Sequence, residues 1–250
     1  MTDKLTPDEV RRYRAHLLLK SVGGTGQQQL KAARVLVAGA GGLGSPALAY
    51  LAGAGVGTLG IVDGDHVDLS NLNRQIVYTA AAVGTSKTQQ AAQFARALNP
   101  DITVIEHAER LTPENAERIV GDYHVVLDGL DNLDSRCLLA HTARALAIPV
   151  VSGAANGLDG QLTVFGPNPT DPGFDDLFPP GVAESAVMAC EATGILGPVT
   201  GVIGTLMAME AIKLVTGLGE PLIGRLMLYE GAAARFSEFS YGEPITDRGA

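Results

Sequence analysis

The sequence predicts an α/β fold: a Rossmann-like, mostly parallel sheet extended by antiparallel C-terminal strands, with helices on both faces. Three observations lead there. Between 34 and 152, β-branched runs alternate with amphipathic stretches, the rhythm of right-handed crossovers between parallel strands. VLVAGAGGLG at 35–44 breaks into glycines at Gly39, Gly41 and Gly44, the G-x-G-x-x-G turn between a buried strand and a helix. Beyond Gly153 the rhythm gives way to short strand-like runs, GQLTVFG at 160–166, RLMLYEG at 225–231 and ARFSEFS at 234–240, the last two spaced for a hairpin.

Taken in order, Thr6-Pro7-Asp8-Glu9 combines an N-cap, a proline at the first helical position and Glu at N3, which predicts a helix running to about Leu19. A short helix follows at 27–32. Strands are then expected at 34–39, 58–62, 102–106, 123–128 and 148–152, with helices at 43–54, 86–98, 113–121 and 133–147. A helix at 200–216 should pack on the antiparallel part. PNPTDPGFDDLFPPGVAES at 167–185 has no periodicity and reads as a functional crossover or a disordered loop. The chain is expected to be one domain, with an N-terminal helical segment at 1–33, a nucleotide-binding half at 34–153 and an extension at 154–250 whose crossover spans 167–190.

Composition narrows the function. A net charge of −9 and no basic stripe argue against nucleic acid, which is held through clustered Lys and Arg, and against anionic lipid. The charged N-terminus lacks the apolar core of a secretory signal, which leads to an expectation of a cytoplasmic protein. GILGPVTGVIGTLMAMEAIKLV, from Gly194, is the most apolar stretch. Glu210 and Lys213 interrupt it before the roughly 18 uncharged residues of a span, so no membrane is expected and a buried, glycine-punctuated helix is. With only Cys137 and Cys190, the chain has no four-cysteine zinc site and no disulfide framework. His16, His66, His107, His124 and His141 show no metal spacing, and Cys137 reads as inert packing.

The glycine turn alone fits the pyrophosphate of NAD or the triphosphate of ATP. Asp63 closes the strand GTLGIVD, where an acid binds ribose hydroxyls in either case, or caps a loop. DGDHVDLSNLNRQ at 63–75 is more discriminating, because it returns Asn71, Arg74 and Gln75 towards the strand ends, with Lys87 following at a helix start. Two added cations suit a triphosphate whose leaving pyrophosphate must be stabilised, although each alone reads as a solvated surface charge. VVLDGLDN places Asp128, Asp131 and Asn132 at the carboxyl edge of the sheet. Asp131 is the candidate Mg²⁺ ligand, while Asp128 and Asn132 read equally as caps of the next helix.

GAGGLGSP, DLSNLNRQ, SKT, VLDGLDN and GVIGTLMAMEAIK, in that order, resemble the ubiquitin-activating-like adenylyltransferases of the MoeB, ThiF and HesA type, from about Arg12 to about Phe236. The resemblance implies adenylation of the C-terminal glycine of a small ubiquitin-like sulfur-carrier protein ending in Gly-Gly, with ATP and Mg²⁺ consumed and pyrophosphate released. It implies a homodimer, and a cysteine desulfurase or rhodanese as sulfur donor. Gly39, Gly41, Gly42 and Gly44 would cradle the nucleotide with Asp63 and Asp65. Ser70, Asn71, Leu72, Asn73, Arg74 and Gln75 would complete the site with Lys87, Asp131 and Asn132. The reacting set would be Arg74, Lys87, Asp131 and Cys190; the last falls where the family carries a cysteine that forms a thioester or acyl-disulfide, and reads otherwise as a buried residue.

Two departures stand out. The family motif R-Y-x-R-Q reads Arg12-Tyr13-Arg14-Ala15-His16 here, so alanine stands where a trans arginine would reach a partner's phosphates. The C-x-x-C pairs of zinc-bearing relatives are missing, and PGFDDLF has Gly173 and Asp176 where the first would fall, so no zinc is expected. Alternatives to the enzyme are a catalytically weakened nucleotide-binding partner of the same fold and an NAD-dependent oxidoreductase. Within these 250 residues no rhodanese-type domain narrows the pathway, whether thiamine, molybdopterin or tRNA thiolation.

Overall fold

A computed structural model describes residues 4–179 and 194–242. Its centre is an eight-stranded sheet in the order β3-β2-β1-β4-β5-β6-β7-β8. The strands are β1 Arg34–Ala38, β2 Thr58–Val62, β3 Thr103–His107, β4 Val125–Asp128, β5 Val150–Asn156, β6 Asp159–Phe165, β7 Arg225–Glu230 and β8 Arg235–Ser240. The first five are parallel and the rest add antiparallel, so the predicted fold class holds. The helices are α1 Pro7–Arg12, α2 Arg14–Leu17, α3 Gly23–Ala32, α4 Gly44–Ala54, α5 Lys87–Leu98, α6 Ala116–Val120, α7 Leu133–Ala145, α8 Phe174–Leu177 and α9 Gly197–Thr216.

Two apolar layers enclose the sheet, because residues of alternating strand parity face opposite sides. Val35, Val37, Ile61 and Leu127 pack with α4, α5 and α9 on one face, while Leu36, Ala38, Val62 and Val126 pack with α6 and α7 on the other. By length and composition α9 could cross a membrane. In this fold its Ile203, Met207 and Ala211 are buried in the first layer, and Glu210 pairs with Lys213 and accepts from Leu222 N at 3.0 Å.

Four expectations need correction. The N-terminal helix does not run unbroken to Leu19. Its capping box forms, but the helix breaks at Tyr13, whose buried ring is fixed by Asn99 Nδ2 donating to its hydroxyl at 2.9 Å. The helix expected at 27–32 begins at Gly23. β5 extends past 152 to Asn156 because β6 pairs along it through the tight Gly157-Leu158 connection. The described part of the crossover contains α8, where Asp176 Oδ2 accepts from Gly173 N at 2.7 Å.

Candidate functional site

The sheet order reverses between β1 and β4, and a cleft of about 690 Å³ opens at their carboxyl ends, where open α/β sheets bind ligands. That volume lies within the roughly 300–1,000 Å³ usual for small-molecule sites. Gly39 turns the chain there with φ +86°, and a Cβ on it would lie 2.7 Å from the carbonyl of Gly129. A Cβ on Gly44 would strike the carbonyl of Gly39. These two glycines are therefore needed for the turn itself, and Gly41 and Gly42 line the cleft. Asp63 locks the turn to the end of β2: Oδ2 accepts from Ala40 N at 2.9 Å and Oδ1 from Asp65 N at 2.8 Å. The Tyr78 hydroxyl donates to Ala40 O at 2.7 Å from beneath, and burial raises its pKa.

Lys87 is not a solvated surface cation. Ser86 caps α5, Lys87 occupies its first position, and the side chain is 9 % exposed, with Nζ 3.1 Å from Asp65 Oδ2. Arg110 Nη2 holds the other oxygen of Asp65 at 3.1 Å. Burial alone would raise the Asp65 pKa, but the hydrogen bonds and charge of Lys87 and Arg110 outweigh it and lower the pKa. Arg74 donates to Ser70 O at 3.1 Å and Asn73 Oδ1 at 3.0 Å, and among the described residues it has no carboxylate partner. Asp131 is exposed on the facing wall, touched by Asn132 Nδ2 at 3.3 Å. Among the described residues no three metal-ligating side chains cluster; a Mg²⁺ site made of one carboxylate, phosphates and waters needs no such cluster.

Asn132 caps α7, accepting from Ser135 N at 2.9 Å. Asp128 does not cap that helix. It is buried in an ion pair with Arg136 at 2.9 Å and accepts from Ser152 Oγ at 2.8 Å, joining β4, α7 and β5 beneath the cleft. Of the residues expected at the site, Gly39, Gly41, Gly42, Asp63, Asp65, Arg74, Gln75, Lys87, Asp131 and Asn132 line the cleft. Gly44, Ser70, Asn71, Leu72 and Asn73 do not. Ser70 and Asn71 bond Asp68 within a 3₁₀ turn at Leu69–Asn71, and Leu72 packs on the core. Cys190 lies outside the described residues. The Cys137 thiol stays protonated, pushed up by burial and by Asp175 and Asp134.

Arg110, Arg136 and Thr200 also line the cleft and went unread in the sequence. Arg110 follows the end of β3, a position that could have drawn attention, since loops after parallel strands face the ligand. Arg136 carries no such signal, being eight residues from the carboxylate it pairs with.

A model of the ThiF family matches residues 13–248. Adenylyltransferase and sulfurtransferase MOCS3-2 of Zea mays is 49 % identical over 231 residues, 92 % of this chain and 48 % of that protein. The probable adenylyltransferase/sulfurtransferase MoeZ of Mycobacterium tuberculosis is 45 % identical over 229 residues, 90 % of this chain and 58 % of that protein. The chain thus spans about half the length of the curated relatives it matches. Among solved structures, PaaA superposes with a TM-score of 0.83 at 24 % identity, covering 96 % of this chain and 85 % of that one. Escherichia coli MccB, in a crystal with ATP, superposes with a TM-score of 0.77 at 16 % identity, covering 98 % and 73 %.

Proposed function

The chain belongs to the ThiF family, and from that premise we propose that it adenylates the C-terminal glycine of a small ubiquitin-like sulfur-carrier protein, using ATP and Mg²⁺ and releasing pyrophosphate. The observation that carries the reading is the convergence of Arg74 and buried Lys87 on the glycine turn, with Asp131 on the facing wall. Relatives named as adenylyltransferases agree with it.

In this reading the amides of the turn and the N-terminus of α4 receive the phosphates, where backbone N–H groups and the helix dipole favour anions. The ribose hydroxyls lie against Asp63. The carrier carboxylate attacks the α-phosphorus in line with the departing pyrophosphate. It is already ionised near pH 7, so no general base is required, and catalysis reduces to positioning and charge stabilisation. Arg74 and Lys87 take up the charge that develops on the bridging and leaving oxygens. Asp131 would hold Mg²⁺, which would supply positive charge to the phosphates. The residues present fit that demand, since the lining carries four basic side chains, Arg74, Lys87, Arg110 and Arg136, and as many acidic ones, Asp63, Asp65, Glu109 and Asp131. A polyanion entering so balanced a site needs an added cation.

Cys190 is proposed to attack the carrier acyl-adenylate and expel AMP, giving a thioester from its thiol or an acyl-disulfide where a cysteine desulfurase or rhodanese has first converted that thiol to a persulfide, in a cytoplasmic homodimer. A second reading, a weakened nucleotide-binding partner, rests on Ala15 in place of the trans arginine. The test is exchange of labelled pyrophosphate into ATP in the presence of Mg²⁺ and a Gly-Gly-ended carrier. Carrier-dependent exchange is expected, lost with Lys87→Ala. Binding of ATP without exchange with any carrier from the same organism would favour the second reading, and preferential binding of NADH over ATP would remove both.

A further inference from the structure

Gln75 is 4 % exposed and lines the cleft, yet among the described residues neither its buried Oε1 nor its Nε2 has a hydrogen-bond partner. The backbone around it is satisfied, with its N–H on Asn71 O at 3.0 Å and its carbonyl taking Tyr78 N at 3.2 Å. A buried polar side chain without a partner is costly, by an amount comparable to a lost hydrogen bond, so a partner is expected from outside the chain. The amide stands between two features. Nε2 lies 3.8 Å from where a Cβ on Gly41 would sit, at the heart of the phosphate turn. The preceding residue, Arg74, abuts Gly197 at the start of α9, close to Ile195 and Thr200 in the sequence, which also line the cleft.

An acceptor at this place requires a donor. Ionised phosphates offer only acceptors, and the ribose hydroxyls belong at the Asp63 end of the cleft. The second substrate supplies one: the N–H of its terminal residue is two bonds from the carboxylate carbon, whose oxygen attacks. Resting on the adenylation reading above, we propose that Gln75 Oε1 accepts the N–H of the last peptide bond of the incoming carrier, while Nε2 donates to a phosphate oxygen. Gln75 is thus a positioning and specificity residue. It orients the terminal carboxylate towards the α-phosphorus and selects a secondary amide at the carrier's end.

The test uses the 250-residue chain and a ubiquitin-fold carrier ending in Gly-Gly. A semisynthetic version ends in glycolate, so that an ester oxygen replaces the last N–H at nearly unchanged shape. With the wild-type enzyme, kcat/KM for pyrophosphate exchange is expected to fall about tenfold or more on the glycolate carrier, the usual effect of leaving one buried acceptor unpaired. Gln75→Met should lose about tenfold on the native carrier and show no further loss on the glycolate one, with ATP affinity also falling because the Nε2 donor is lost. Should Gln75→Met fail to fold, Gln75→Glu keeps the acceptor and should keep the discrimination between carriers. An equal glycolate penalty in wild type and Gln75→Met overturns the proposal, as does a defect in Gln75→Met confined to ATP binding. If the wild type gives no exchange with the native carrier, the adenylation reading itself fails, and this one with it.

Discussion

Asp128 shows how a residue's neighbours decide its role. From sequence it reads as a candidate ligand or a helix cap, but its carboxylate is 2 % exposed and committed to Arg136 and Ser152. Nothing in the spacing announces this, because the partners come from α7 and β5 and meet only when the sheet assembles. Lys87 is the same case: its position at a helix start is legible, its burial against Asp65 is not. Removing one partner of a buried ion pair strands the other charge, so Asp128→Asn should cost about 3–5 kcal/mol, read by urea unfolding. Ser152→Ala removes a single neutral donor and should cost about 1 kcal/mol. His107, at 2.8 Å from the Tyr123 hydroxyl, carries the pH dependence on this side of the sheet. Burial, aided by Arg118 and opposed by Glu109 and Asp122, holds its pKa below the ordinary 6.5. The unfolded chain then binds the extra proton first, so this contribution is complete above about pH 6.5 and is lost as pH falls through the lowered value. Urea unfolding between pH 7.5 and 5 should show stability declining with acid, and His107→Gln should flatten that decline.

At the level of elements, periodicity and punctuation found nearly every strand and helix of the parallel half, because β-branched runs and glycine turns are local signals. They failed where tertiary contacts override local preference. Tyr13 sits in a helical pattern but is pulled under Gly55 and Asn99, which breaks α1 from α2. The small residues after Val151 look like the end of a strand, yet β5 continues because Ile203 and Met207 of α9 press where Cβ atoms on Gly153 and Gly160 would stand. The same helix meets the glycine turn through Gly204, where a Cβ would strike the Leu43 carbonyl and approach Pro46 Cγ at 2.6 Å. Gly204→Ala should therefore act as overpacking and cost about 1–3 kcal/mol. At about 2–4 °C per kcal/mol for a chain of this size, Tm falls by several degrees. ATP affinity should fall with it, since Leu43 directly follows Gly42 of the turn, whereas Gly201→Ala, which meets nothing within 4 Å, should change neither.

For the molecule as a whole, topology places the candidate site and charge decides what it needs. The alternating pattern implied parallel strands with ligands at their carboxyl ends, while the reversal of strand order between β1 and β4 that opens the cleft there appears only in the fold. The charge balance of that cleft was not, because Arg110 and Arg136 enter it from later segments. Three of its four cations already face carboxylates: Lys87 and Arg110 share Asp65, and Arg136 is spent on Asp128. Among the described residues Arg74 faces no carboxylate and Lys87 and Arg110 have one between them, so little positive charge is left for a polyanion and a further cation should accelerate the proposed reaction. The segment around Ala15 cannot supply one within the same chain. Arg12 is tied to Leu98 O at 3.1 Å and to Asp101 at 3.5 Å, where α5 ends and β3 is about to begin, which is the amino edge of the sheet and the far side from the cleft. A side chain at position 15 could reach a cleft only in a second copy. Ala15→Arg should therefore raise the rate of pyrophosphate exchange by at least about tenfold, a modest share of what arginine fingers contribute elsewhere. In the proposed homodimer the gain should disappear on dilution, measured alongside light scattering, while ATP affinity in the dilute protein stays at the wild-type value. A gain that persists in the monomer would place the new arginine in its own cleft and contradict this geometry; no gain at any concentration would mean that the cations of one chain suffice.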